Sequence, residues 1–151
     1  MQILVDADAL PNVLKSIIFK VAERTGISLT LVANRHLHTP NKPNISMVTV
    51  AKNPDEADDY IVKQTQKGDL IITADIPLAD RVIKKEAHAL DPRGDLFTEG
   101  NIKSRLATRD LMEQLRNEGI VEGGPSSFNS KNVQQFANQL DRFITKHMKA
   151  K

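Results

Sequence analysis

The stretch "GDLIITADIPLADRVI", residues 68–83, changes period halfway along. Residues 69–74 form a nearly continuous apolar run rich in isoleucine, the pattern of a strand buried on both faces of a parallel sheet. From Ile76 the spacing becomes helical: Ala79, Val82 and Ile83 fall on one side of a helix predicted over 76–87. Asp75 stands at the junction, at the carboxyl end of the strand and the entry to the helix. A strand that feeds straight into a helix is the repeating unit of an α/β fold.

The flanking chain repeats that unit. Residues 3–5 read as a short buried strand, followed from Pro11 to Gly26 by a helix carrying Val13, Leu14, Ile17, Ile18 and Val21. "ISLTLVAN" (27–34) and "ISMVTV" (45–50) are strands, joined by the proline-bearing loop 35–44. A helix over 53–68 starts on acids and closes at Gly68, and "HALD" (88–91) is a short fifth strand before the "PRG" break. The order β-α-β-β-α-β-α-β predicts a single α/β domain over 1–151: a three-layer sandwich on a mostly parallel sheet of about five strands, plus C-terminal helices. Beyond residue 100, Ile102 and Leu106 do not share a face with Leu111 and Leu115, which predicts two short helices broken near Thr108. "GGPSSF" (123–128) reads as a loop, and 131–148 as a final helix with Val133, Phe136, Leu140 and Phe143 in one stripe. That stripe suits packing on its own domain first, and pairing in a homodimer second.

Bulk properties narrow the function classes. The 151 residues suffice for one substantial core. The formal net charge is only +2, so any nucleic-acid contact must come from local separation of charge. With no cysteine, zinc ribbons, disulfides and thiol catalysis are excluded. No signal-peptide pattern and no apolar run of spanning length occur, so no membrane contact and a cytoplasmic location are expected. No phosphate-binding glycine loop is present, and aromatic residues make up only 4% of the chain, which leaves no evident stacking platform.

The acids carry the chemical signal. In an open parallel sheet every strand delivers its last residues to one edge, where ligands bind. Asp6 and Asp8 close the first strand, Asp75 the fourth and Asp91 the fifth, while "PDEADD" (54–59) brings Asp55, Asp58 and Asp59 to the same edge on a helix start. Crowded carboxylates repel unless protonated or neutralised by a cation. Hard oxygen donors without thiolate suit Mg²⁺ or Mn²⁺, the ions of phosphodiester and phosphoryl hydrolysis. Helix capping by Asp8, Asp55 and Asp75 is the plain alternative. Capping does not account for Asp6 beside Asp8. Arg35 and Lys42 in the 35–44 loop, and Arg105, Arg109 and Arg116 further on, are candidate phosphate contacts, although a surface loop and a solvated helix face are the plainer readings. His36 and His38 form an H-x-H with no third ligand placed near them.

"ILVDADALP", "NPDEADDYIV", "GDLIITADIPLADRVI", "LDPRGDLFTEGNIKSRLATRDLMEQLR" and "GGPSSF…FANQLDRFI" together resemble the YaiI/YqxD family of small bacterial proteins, over about residues 2–146. That family is largely uncharacterised. Its fold is thought similar to the PIN domain, whose relatives are commonly metal-dependent ribonucleases. The resemblance implies that Asp6, Asp58 or Asp59, and Asp75 match the acids of such a site, with Asp80 or Asp91 as a further ligand. The expectation is a Mg²⁺- or Mn²⁺-dependent nuclease with Asp6, Asp59 and Asp75 catalytic, the metal held among Asp6, Asp8, Asp58, Asp59, Asp75 and Asp91, and single-stranded RNA as partner. The competing readings are a non-catalytic module binding RNA or protein and, with less support, a small-molecule phosphatase suggested by the D-x-D of "DADAL".

Overall fold

The computed structural model describes residues 1–8, 10–53, 55–120 and 128–149, with side chains placed up to His147. The expected loop 123–128 therefore lies outside the described residues except for Phe128. The elements in chain order are β1 (Gln2–Asp6), α1 (Asn12–Thr25), β2 (Ser28–Ala33), β3 (Ile45–Thr49), α2 (Glu56–Gln64), β4 (Leu70–Ile72), α3 (Ile76–Ile83), β5 (His88–Leu90), β6 (Leu96–Phe97), α4 (Glu99–Asn117) and α5 (Ser130–Lys149). They form one six-stranded sheet in the order β3-β2-β1-β4-β5-β6, parallel from β3 to β5, with β6 antiparallel at the edge.

Side-chain alternation explains why the strands read as continuous apolar runs. Ile3, Val5, Leu29, Leu31, Leu70, Ile72 and Leu90 point to one face, where α1 and α5 close the layer with Leu14, Ile18, Phe136 and Leu140. Leu4, Val32, Ile71 and Ala89 point to the other face, against Ile61 of α2, Leu78 and Val82 of α3 and Ile102 of α4. Both faces are covered, as a parallel sheet requires.

α1 ends as expected: Gly26 adopts φ 73° and its N–H donates to the Ala22 carbonyl. α2 is shorter than expected. It stops at Gln64 because the Thr65 hydroxyl donates to the Ile61 carbonyl at 2.6 Å and the chain then turns, so Gly68 lies beyond the helix. The break expected near Thr108 does not occur. α4 is continuous, opened by a capping box between Thr98 and Asn101. Only Ile102 is buried on it, so the remainder needs no single apolar stripe and runs on the helix propensity of Leu, Arg, Glu and Gln.

β6 was not expected from the sequence. Two residues are too few to show a period, and the strand exists because "DPRG" folds back: the Gly94 N–H donates to the Asp91 carbonyl at 2.8 Å and the Asp91 N–H to the Asp95 carbonyl at 2.8 Å. Gly94 has φ 95°, and a Cβ there would stand 2.7 Å from the Gln135 carbonyl carbon and 2.8 Å from the Phe136 nitrogen. The hairpin thus presses on the backbone of α5, whose Phe136, Leu140, Phe143 and Ile144 are buried in the chain's own core. The α5 stripe is therefore spent within the domain.

Gly94→Ala combines a left-handed conformation with a backbone clash, and is expected to lower unfolding free energy by about 2–4 kcal/mol. Urea denaturation checks this; a loss below about 0.5 kcal/mol would mean that the hairpin does not bear on α5.

Candidate acidic groove at the switch point

The chain runs from β1 outward through β2 to β3, then returns to the other side of β1 to build β4 and β5. The strand order therefore reverses between β1 and β4, and open α/β sheets form their ligand crevice outside such a reversal. A groove of about 330 Å³ opens there, lined by Asp6, Asp8, Asn34, Lys52, Asn53, Asp58 and Asp75, with Ala51 and Ala57.

Each acid arrives by a different route. Asp6, the last residue of β1, shares the face of Leu4, the side that α2 and α3 cover. Val5 pairs with Ile72, so Asp6 stands opposite Thr73. Thr73 is fully buried, and its hydroxyl donates to Asp6 Oδ2 at 3.0 Å while accepting from the Asp75 N–H at 3.0 Å. Asp75 caps α3: its Oδ1 accepts from the Leu78 N–H at 3.0 Å. Asp58 comes from the first turn of α2. Asp8 caps nothing. α1 starts at Asn12, behind Pro11, and both Asp8 oxygens instead accept from the Asn34 N–H, at 3.0 and 3.1 Å. Asp55 occupies the N-cap position of α2 but makes no capping hydrogen bond. Capping thus accounts for Asp75 alone among these residues.

Electrostatics mark the cluster. The Asp58 carboxyl is pushed up to about 6, first by burial and then by Asp75 and Asp6, with Arg81 opposing and Asp55 adding. Asp6 is raised by burial, restrained by the Thr73 hydroxyl, and raised again by Asp75 and Asp8. The contrast is Asp69 at the opposite sheet edge. It is buried too, yet it accepts from the Gln2 N–H, the Gln2 amide and the Gln66 N–H.

The other expected residues lie elsewhere. Asp59 turns away from the groove and pairs with Arg81 at 3.0 Å. Asp80 pairs with Lys84 at 2.9 Å and faces α4 across a hollow shared with Glu99 and Lys103. Asp91 directly follows β5 but sits in a separate group; burial raises it, the Arg93 N–H opposes that, and Asp95 adds. Arg35 directly follows Asn34 at the groove's edge of the sheet. Lys42 is at the opposite edge, where its carbonyl accepts from Ile45 at the start of β3. Arg105 meets Asp95 at 3.6 Å and lies over the Phe97 ring, and Arg109 pairs with Asp110 and Glu113. Thr73, Asn34, Lys52 and Asn53 were not singled out in the sequence. Thr73 becomes visible only through the β1–β4 register, which no linear pattern gives.

Among the described residues, no group of three or more acidic or imidazole side chains stands at metal-ligand spacing. The donor set nevertheless fits a hard divalent cation. It is all oxygen and mutually repelling, and Mg²⁺ commonly takes one or two protein carboxylates and retains water.

The whole-chain comparisons agree on one family. The profile described as "Uncharacterized BCR, YaiI/YqxD family" matches residues 4–146, and the chain belongs to that family. It is 54% identical over 149 residues to a UPF0178 protein of Photobacterium profundum, covering 99% of both chains. It is 54% identical over 148 residues to a UPF0178 protein of Syntrophotalea carbinolica (98% of this chain, all of the relative), and 52% identical over 148 residues to one of Maridesulfovibrio salexigens. No solved structure matches.

A carboxyl raised in the folded state binds its proton more tightly there than in the unfolded chain. Its stabilising contribution is complete below the unfolded value and disappears as pH rises through about 6. Asp58→Asn is therefore expected to raise the cation-free melting temperature at pH 7, with the advantage shrinking as pH falls below 6. A lower melting temperature at pH 7 would show that Asp58 is a supporting acid and not a strained one.

Proposed function

We propose that this member of the YaiI/YqxD family is a Mg²⁺- or Mn²⁺-dependent nuclease that hydrolyses phosphodiesters, with single-stranded RNA preferred to DNA. The observation that carries this reading is the meeting of Asp6, Asp8, Asp58 and Asp75 in one groove at the sheet's switch point. A bound divalent cation would supply charge neutralisation for the phosphate and an activated water. Asp6 and Asp75 are the ligands of this proposal, because each keeps an oxygen free of its Thr73 or Leu78 hydrogen bond. Thr73 fixes the Asp6 carboxylate against β4 and so acts as a positioning residue. Asp58, whose carboxyl burial and its acidic neighbours push up to about 6, is mostly ionised at neutral pH and would hold a water beside the cation. Asp8, oriented by the Asn34 N–H, would hold a water from the β2 side. Lys52 and Arg35 replace Lys42, Arg105 and Arg109 as the cations for the RNA backbone, since they flank this groove. Asp59 and Asp91 have no part in this arrangement. The preference for RNA rests on the family's likeness to PIN domains. A cytoplasmic location is part of the same proposal; among the described residues no helix is long and apolar enough to cross a membrane.

A second reading is a non-catalytic module that binds RNA or protein. It is favoured by the absence, among the described residues, of three side chains already at ligand spacing. Melting with Mn²⁺ separates the two. An ion at about 100 times its dissociation constant stabilises by about 2.7 kcal/mol, which raises the melting temperature by about 5–10 °C. Cleavage of a labelled single-stranded oligoribonucleotide with Mn²⁺ is expected to fall about 10²-fold or more in Asp6→Asn, about 10–100-fold in Thr73→Val, and little in Asp91→Asn. No melting shift and no cleavage would leave the binding module.

A further inference from the structure

A second site lies at the other edge of the sheet, on the other face. His88, the first residue of β5, shares the face of Leu90 and points toward α5. There it meets Phe143 and His147: the His88 ring stands edge-on to both, with centroids 4.9 Å away in each case, and Phe143 and His147 stack at 3.9 Å and 20°. The His147 Nδ1 is 2.9 Å from the Phe143 carbonyl, which makes Nδ1 the protonated donor and leaves Nε2 for a ligand. These rings wall a hollow of about 420 Å³ that Gln139, Arg142 and Lys146 complete, with no carboxylate among its lining residues.

A second hollow of about 460 Å³ shares His88, Leu96 and Thr98 as its wall and brings the acceptors Glu86 and Glu99. The pair of cavities thus has a cationic end, an aromatic wall and a carboxylate end. A phosphate suits Arg142 and Lys146, a planar ring suits the exposed edges of His88 and His147, and hydroxyl or amino donors suit Glu86 and Glu99. Burial, with His147 and Lys146 adding, lowers His88 from its usual value, so this ring is a neutral hydrogen-bonding partner at pH 7.

We propose that this double hollow at the β5–β6 edge, walled by α5 on one side and by the start of α4 on the other, binds a mononucleotide, its phosphate on Arg142 and Lys146 and its base against His88 and His147. The site is separate from the acidic groove and does not depend on the nuclease reading. Sequence reading did not find it, because His88 and His147 are far apart in the chain and neither belongs to a motif.

The four histidines make ring-proton NMR a direct readout. The full chain is titrated with each 5′-mononucleotide, with the corresponding nucleoside and with inorganic phosphate. His88 and His147 signals are expected to move with nucleotide while His36 and His38 stay still, and phosphate alone or nucleoside alone should bind at least about tenfold more weakly. Arg142→Gln with Lys146→Gln, both at exposed positions, should weaken nucleotide binding about tenfold or more at an unchanged melting temperature. No movement of His88 and His147 at millimolar nucleotide would overturn the proposal. Equal affinity for inorganic phosphate, or undiminished binding by the double variant, would overturn it too.

Discussion

The parallel pairing of β1 with β4 is the constraint on which the rest of the molecule depends. It joins the two halves of the sheet and puts the reversal of strand order in the middle. It also sets Asp6 across from Thr73, so that one buried hydroxyl ties the last residue of β1 to the turn that opens α3. A slip of one residue in that register would turn Asp6 toward the α1–α5 face and Thr73 away from it. The apolar residues around the pair leave no latitude for this, because Leu4 and Ile71 are buried on one face while Ile3, Val5, Leu70 and Ile72 are buried on the other.

Given that register, the acidic groove is electrostatically expensive. The chain shows at Asp69 how it stabilises a buried carboxylate, by surrounding it with N–H donors. At Asp6 it does otherwise, supplying one hydroxyl and two further negative neighbours. Asp58 is raised first by burial and then by Asp75 and Asp6. A fold that satisfies one buried acid and leaves another crowded is under a constraint other than stability, and sites of binding and catalysis are where such strain collects.

Much of this could be read from the sequence, for identifiable reasons. The strand–helix order was legible because both sheet faces are covered, which makes β1, β2 and β4 conspicuously apolar. Asp6, Asp8, Asp58 and Asp75 were legible because parallel strands send their ends to one edge. The choice between Asp58 and Asp59 was not. Adjacent residues on a helix differ by 100° of phase, and only the packing of Ile61 and the ion pair of Asp59 with Arg81 decide which one faces in. Lys42 shares a loop with Arg35, yet that loop spans the sheet from the end of β2 to the start of β3 and separates the two by the strand's length. α4 misled because its apolar residues change face where the helix ceases to be buried.

The central claim is that Asp6 and Asp75, brought together by the β1–β4 register, hold a divalent cation. Anomalous diffraction from Mn²⁺-soaked crystals tests it most directly. The account predicts a peak in the groove within coordination distance of both carboxylates, roughly 2.1 Å for a hard octahedral ion. An ordered groove with no anomalous peak beside Asp6 and Asp75, at a Mn²⁺ concentration that labels other carboxylates in the same crystal, would contradict it.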